Sequence, residues 1–263
     1  MANNQKYAWV TFVNNKSYLD GAHVLAKSLE ISASKYNLII LIPDDFNINI
    51  QNPVNNLSNI EYIPIKLLVY QNDGKDISMK ARANYSYCIN KIYAWSLISY
   101  DKVCWLDSDM IVLKNIDDIF NNDIRDGQIG AAHGCTCNIL KNTKLSTNCE
   151  ICPFNNLIGT YINTGLILLK PNIATYNVLL NIDYNYPLPD QDAFNEYFKN
   201  NIIYIDSKYN YINNLELAHS EYIPDIYIFH FSYGKPWEAE TMRLTGTFRS
   251  IYNLWLEYKN LLN

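Results

Sequence analysis

The stretch from Tyr7 to Asp45 restricts the fold more than any other part of this chain. Tyr7 to Val13 (Tyr-Ala-Trp-Val-Thr-Phe-Val) is rich in β-formers and runs into a polar turn, Asn14-Asn15-Lys16-Ser17. From Tyr18 to Ser32, Leu19, Ala22, His23, Leu25, Ala26 and Leu29 recur at helical spacing. A fully apolar run, Leu38 to Ile42, then stops at Pro43-Asp44-Asp45. Strand, helix, strand in that order is a β-α-β unit, so the strands are expected to be parallel with a right-handed crossover. Ligands of such sheets bind at the carboxyl ends of the strands, which puts Asn14, Asn15 and Tyr18 at the binding edge. The fold class expected is α/β, and 263 residues suffice for a single domain with one sizeable core.

The remaining pattern extends this architecture. Ile60 to Ile65 reads as a strand, followed by a polar loop through Gln71-Asn72-Asp73-Gly74. Met79 to Ser99 reads as a helix that presents Arg82 and Lys91. Strands are also expected at Val103 to Leu106, Ile129 to Ala132, on both sides of Asn163-Thr164-Gly165, at Ile202 to Asp206 and at Ile226 to Phe231. Short helices are expected after Asn115, from Asn172 to Asn181, and from Pro189 to Phe198, where capping by itself would explain Asp190. An amphipathic helix, Phe248 to Leu262, closes the chain.

Chemistry concentrates at Asp107-Ser108-Asp109, directly after the apolar run Val103-Cys104-Trp105-Leu106. Side chains alternate along a strand, so the two carboxylates are expected to project to one side with Ser108 opposite. Paired hard oxygens suit Mg²⁺ or Mn²⁺ that is also held by substrate phosphates; the bland alternative is a polar strand end. His230, ending a strand at the same edge, is a candidate third ligand, although a His there is often only structural. Arg82 and Lys91 precede the Asp107 strand and could reach phosphate there, or else be solvated. Glycine weakens a strand interior, so Gly165 implies either close approach of a ligand or a bulge.

Charge and composition narrow the partners. The net charge is −5 with no basic run, which argues against nucleic acid. No apolar run is long enough to span a membrane, and Met1-Ala-Asn-Asn-Gln-Lys lacks a signal-peptide core, so a soluble, cytoplasmic protein is expected. Cys88 and Cys104 lie in apolar segments and read as buried thiols. Cys135, Cys137, Cys149 and Cys152, near His133, have a spacing open to zinc; free loop thiols or a disulfide are the alternatives.

The residues together resemble the glycogenin-like retaining glycosyltransferases of family eight. The matching pieces come in one order along most of the chain: Val10 to Tyr18 with Gly21 and Ser28-Leu29, Asn90 to Leu97, Trp105 to Asp109, Ile116 to Phe120, Tyr161 to Gly165, Asp190-Gln191, and His230-Phe231 with Lys235-Pro236-Trp237. The resemblance implies a single nucleotide-diphospho-sugar transferase domain over 1–263, Rossmann-like with a mixed central sheet, of GT-A type. A cysteine-containing insertion at about 133–157 and a C-terminal helix at about 248–262 complete it. It also implies Mn²⁺ or Mg²⁺ on Asp107, Asp109 and His230. Phe12, Asn14, Asn15 and Tyr18 would hold the uridine side of a UDP-sugar. Arg82, Lys91, Asp107, Ser108, Asn163, Thr164, Gly234 and Lys235 would line its diphosphate and sugar. Asp190, Gln191 and Lys235 form the implied catalytic set, with Asp190 as nucleophile or as electrostatic stabiliser of same-face attack.

The implied activity is metal-dependent, retaining transfer of a hexose from a UDP-sugar to an acceptor hydroxyl, with glucose expected ahead of galactose. Where glycogenins carry an acceptor tyrosine, this chain has Ser220 in Ser220-Glu221-Tyr222-Ile223-Pro224. That departure, with the cysteine insertion, points to a separate glycan, polyol or protein acceptor and to likeness with galactinol synthases. A self-glucosylating primer and a nucleotide-sugar-binding protein without transfer are the competing readings. A homodimer is also implied, and the apolar face of the C-terminal helix would permit it.

Overall fold

The computed structural model describes residues 5–46, 57–70, 85–135, 160–213, 225–232, 234–238 and 246–262. The opening unit forms as expected: β1 (Tyr7–Phe12), α1 (Lys16–Ile31) and β2 (Leu38–Pro43), with β1 and β2 parallel. Asn15 starts α1, its side chain accepting from the Tyr18 amide at 3.1 Å. There follow β3 (Ile60–Ile65), a 3₁₀ helix (Cys88–Ser96), β4 (Lys102–Leu106), β5 (Met110–Val112), a 3₁₀ turn (Asp117–Asn121), β6 (Ile129–Ala132) and β7 (Leu166–Leu169). The chain continues through α2 (Ile173–Leu179), α3 (Pro189–Tyr197), β8 (Ile202–Ile205), β9 (Tyr211–Ile212), β10 (Ile228–His230) and α4 (Gly246–Asn260).

Seven strands form one sheet in the order β3-β2-β1-β4-β7-β6-β8, and β5, β10 and β9 form a second, smaller sheet. β3, β2, β1 and β4 run parallel, whereas β7 lies antiparallel between β4 and β6. The mixed sheet therefore reverses its winding at β1, with β2 on one side and β4 on the other. That switch point opens a crevice at the carboxyl ends of β1 and β4. Alternation along the strands serves two cores. Trp9, Cys104 and Leu106 pack with α1 on one face, and Val10, Val103 and Trp105 pack with the Cys88–Ser96 helix and α3 on the other.

Three expectations change. The helix read from Met79 to Ser99 is a 3₁₀ helix, Cys88–Ser96, within the described residues. Its crowded apolar face, Ile92, Ala94 and Trp95, is buried against the sheet, and packing outweighs α-periodicity there. β4 ends at Leu106, so Asp107 to Asp109 lie in a turn rather than on a strand, and alternation does not govern where their side chains point. Finally, Phe248, Ile251 and Trp255 of α4 pack on Ile111, Tyr211, Phe229 and Phe231. The apolar face that could have served a dimer is occupied within the chain.

Candidate active site

The turn Asp107-Ser108-Asp109 carries the chain from the large sheet to the small one. At its start the Asp107 amide donates to the Gly165 carbonyl at 2.8 Å, beside β7. At its end the Phe231 amide donates to the Asp109 carbonyl at 3.0 Å, beside β10. β5 pairs antiparallel with β10, Met110 opposite His230, so Asp109 and His230 become neighbours across the small sheet. Trp105 Nε1, two residues before Asp107, donates to Asp107 Oδ1 at 2.7 Å and fixes that carboxylate.

Ligand atoms of Asp107, Asp109 and His230 lie within 4.8 Å of one another. His230 Nε2 is 3.4 Å from Asp109 Oδ1 and 3.9 Å from Asp107 Oδ2. Asp109 and His230 are buried, and Asp107 is about a third exposed, which leaves one side open to a ligand. Two carboxylates and an imidazole form a hard oxygen and nitrogen set that fits Mn²⁺ or Mg²⁺ with positions left for phosphate oxygens and water. His230 Nδ1 is engaged by Asn210 Oδ1 at 3.0 Å, which leaves Nε2 to face the carboxylates. The donor set therefore fits the cation that the sequence implied.

Two lysines balance this negative cluster. Lys235 pairs directly with Asp109, brought back by the turn at Gly234, whose φ of +88° favours glycine. Burial opposes ionisation of Asp109, but the Lys235 ammonium and His230 outweigh it and hold the carboxyl well below the usual range. Tyr18 stands close by, edge-on to Trp237 with ring centroids 4.9 Å apart, and burial raises its hydroxyl's pKa while Lys235 opposes that rise.

Lys91 takes a role that the sequence did not indicate. Its side chain is only 5% exposed, its ammonium lies 2.5 Å from Asp190 Oδ2 and 3.7 Å from Asp107 Oδ1, and it donates to the Thr164 carbonyl at 3.1 Å. Burial disfavours that charge, yet Asp107 and Asp190 outweigh it and raise the pKa above the ordinary lysine value. Asp190 receives bonds from Lys91, from Thr164 Oγ1 at 2.9 Å and from the Cys88 thiol. Burial favours its protonated form, but these donors, Lys91 foremost, keep its pKa below the usual carboxylate value. The capping account of Asp190 is thus corrected: the cap of α3 is Leu188, whose amide donates to Asp192 at 3.0 Å, and Asp190 turns inward to the ion pair.

Asn163 and Gln191 meet beside this pair, Asn163 Nδ2 donating to Gln191 Oε1 at 2.8 Å. Phe12 ends β1, which runs beside β4 with Val10 opposite Trp105. Asn14 follows it, accepting from Asn15 Nδ2 at 3.1 Å. Asn15 itself is spent on capping α1. Ser108 is buried in the turn, where its carbonyl would meet a Cβ at Gly21 at 2.6 Å. The close approach that Gly165 permits comes from the protein itself: a Cβ there would lie 2.4 Å from the His230 ring. Arg82, Cys137, Cys149, Cys152 and Ser220 to Pro224 lie outside the described residues. Cys88 is partly buried and Cys104 fully so.

Asn210 and Trp105 were not singled out from the sequence. Trp105 could have been, since it stands two residues from Asp107 and a buried indole N–H needs an acceptor. Asn210 carries no such signal; it lies between a 3₁₀ turn and a strand of two residues.

The Glycosyl transferase family 8 model matches residues 9–241. Galactinol synthase 6 of Arabidopsis thaliana is 29% identical over an alignment covering 98% of this chain and 84% of its own, and protein R707 of Acanthamoeba polyphaga mimivirus is 28% identical over 95% and 92%. Among solved structures, the galactosyltransferase LgtC in complex with donor and acceptor sugar analogs superposes with a TM-score of 0.66 at 17% identity, covering 97% of this chain and 96% of its own. The glycosyltransferase GlyE of Streptococcus pneumoniae superposes at 0.62 and 20% identity, covering 98% and 62%. The fold is that of GT-A glycosyltransferases, as the sequence implied. Among the described residues no helix is long and apolar enough to cross a membrane.

Proposed function

The chain belongs to glycosyl transferase family 8, and from that premise we propose that it moves a hexose from a UDP-sugar to an acceptor hydroxyl, with retention and with a divalent cation on Asp107, Asp109 and His230. The observation that carries this reading is the convergence of those three side chains, from two sheets, at the switch-point crevice. Mn²⁺ or Mg²⁺ bound there supplies Lewis-acid stabilisation of the charge that develops on the departing diphosphate. Lys235 adds a second positive charge to the same side. Phe12, Asn14 and Tyr18, at the β1 end, are assigned to the uridine, and Arg82 to the sugar and phosphate.

Asn163 and Gln191 are assigned to the sugar, each keeping one N–H that no acceptor among the described residues takes up. Lys91 is reassigned from the phosphate to Asp190, whose charge it neutralises. A carboxylate already held by an ammonium, a hydroxyl and a thiol is a weakened nucleophile. Asp190 is therefore read as an electrostatic stabiliser of an oxocarbenium-like transition state, with the acceptor attacking on the face from which UDP leaves. The relatives named galactinol synthases favour galactose over glucose as the donor sugar, and a small polyol as acceptor, which reverses the order expected from the sequence.

The test is UDP release from UDP-galactose and UDP-glucose, with and without Mn²⁺, and with and without a cyclic polyol. Manganese-dependent release that rises with the polyol supports the reading. Equal release with Mn²⁺ or chelator overturns the metal assignment, and a ladder of hexose additions in the intact mass without acceptor would replace the polyol by self-modification.

A further inference from the structure

A single backbone amide fixes the polarity of a partly buried chain of side-chain hydrogen bonds that ends on the proposed metal ligand His230. The Gly165 N–H donates to Asn163 Oδ1 at 2.9 Å, and a backbone N–H cannot exchange roles. That bond orients the Asn163 amide, so its oxygen also accepts from Asn210 Nδ2 at 2.8 Å. Asn210 must then present Oδ1 to His230 Nδ1, 3.0 Å away; because a carbonyl oxygen only accepts, Nδ1 carries the proton. In the other direction, Gln191 Nε2 donates to Tyr161 Oη at 2.9 Å, and Tyr161 donates to Asp192 at 2.5 Å. Every bond runs in one sense, from His230 towards the Asp192 carboxylate.

We propose that Asn210 is the positioning residue of the metal site, holding the His230 ring with Nδ1 protonated and Nε2 aimed at Asp107 and Asp109. The inference rests on the reading of those three residues as cation ligands. A ligating imidazole must offer a bare nitrogen, and a hydrogen bond at the other nitrogen decides which one is bare. Asn210 is fully buried and His230 nearly so, hence no solvent stands in for the amide if it is removed. The glycine at 165 lies against Cε1 and Nδ1 of the ring, so the ring edge that meets Asn210 is also the edge held sterically.

The experiment measures Mn²⁺ binding by calorimetry in the absence of donor, together with the ring N–H signals of metal-free protein by nitrogen NMR. The chain has four histidines, so the His230 signal is assigned by its loss in His230→Gln. Wild type is expected to show a slowly exchanging proton on Nδ1. Asn210→Leu should lose that signal and bind Mn²⁺ roughly 10–100-fold more weakly, the usual consequence of removing an outer-shell partner. Asn210→Asp keeps an acceptor for Nδ1–H and should retain the signal, while its second oxygen meets Asn163 Oδ1 where the wild-type amide donates. A wild-type proton on Nε2 with Nδ1 bare overturns the proposal, and that measurement needs no variant to fold. Mn²⁺ affinity of Asn210→Leu within about twofold of wild type overturns it as well. If wild type binds no Mn²⁺ while the ring signals behave as described, the cation reading falls and the ring assignment stands.

Discussion

Gly165→Ala should damage the site without altering any functional group. Gly165 does not have a positive φ, so alanine is admissible for the backbone and the effect is steric. The added methyl would lie 2.4 Å from His230 Cε1, 2.6 Å from Nδ1 and 2.8 Å from Met110 Cε. Ordinary carbon contacts lie near about 3.5 Å, so the ring would have to retreat by about 1 Å. Metal–ligand distances tolerate only about 0.2 Å, so a ring that retreats ceases to ligate. A ring that stays is overpacked at a cost of about 1–3 kcal/mol, which for a chain of this size lowers Tm by about 2–4 °C per kcal/mol. Mn²⁺ titration and thermal unfolding of the same samples separate the two responses. We expect Mn²⁺ affinity to fall by more than tenfold with a modest loss of Tm. Unchanged affinity together with unchanged Tm would refute the argument, since the methyl would then have found space that the packing lacks.

Asp109→Asn should reduce manganese-dependent UDP release to background while Tm changes little; near-normal turnover would remove Asp109 from the metal site. Lys91→Met leaves Asp190 as an uncompensated buried charge and should cost about 3–5 kcal/mol in urea unfolding, part of which Asp190→Asn in the same chain restores without restoring turnover. His23, hydrogen-bonded to the Tyr62 hydroxyl at 2.7 Å, has its pKa lowered by burial from 6.5 to about 4, with Asp20 opposing. The folded state therefore binds fewer protons than the unfolded chain. Stability from this residue is complete above pH 6.5 and declines, by about 3 kcal/mol in all, as pH falls to about 4. His23→Gln should flatten the acid limb of a pH–stability curve by that amount, and an unchanged slope would show that His23 charges freely in the fold.

Much of the fold was legible because local pattern and burial agree. The apolar runs at Leu38 and Ile129 lie in the sheet, with both faces covered, and the alternation in Tyr7 to Phe12 divides its residues between two cores. The metal trio was legible for a different reason: Asp107, Asp109 and His230 each stand beside an apolar strand run, and the family pattern linked them. The geometry first expected for the Asp pair was wrong in kind, since the strand stops at Leu106. Their convergence comes from a turn between two sheets, a long-range arrangement that period two cannot express.

What the sequence alone determined is the class of fold, the crevice at the end of β1 and the chemical types assembled there, because strand and helix periodicity and ligand chemistry are properties of neighbouring residues. Only the tertiary structure decided that Lys91 serves Asp190, that Gly165 makes room for His230, and that Asn210 sets the polarity of the imidazole. Each of those depends on atoms from segments 20 to 99 residues apart in the chain, brought together by packing. Buried charges and amides must find partners wherever the fold supplies them, and no local pattern names the partner.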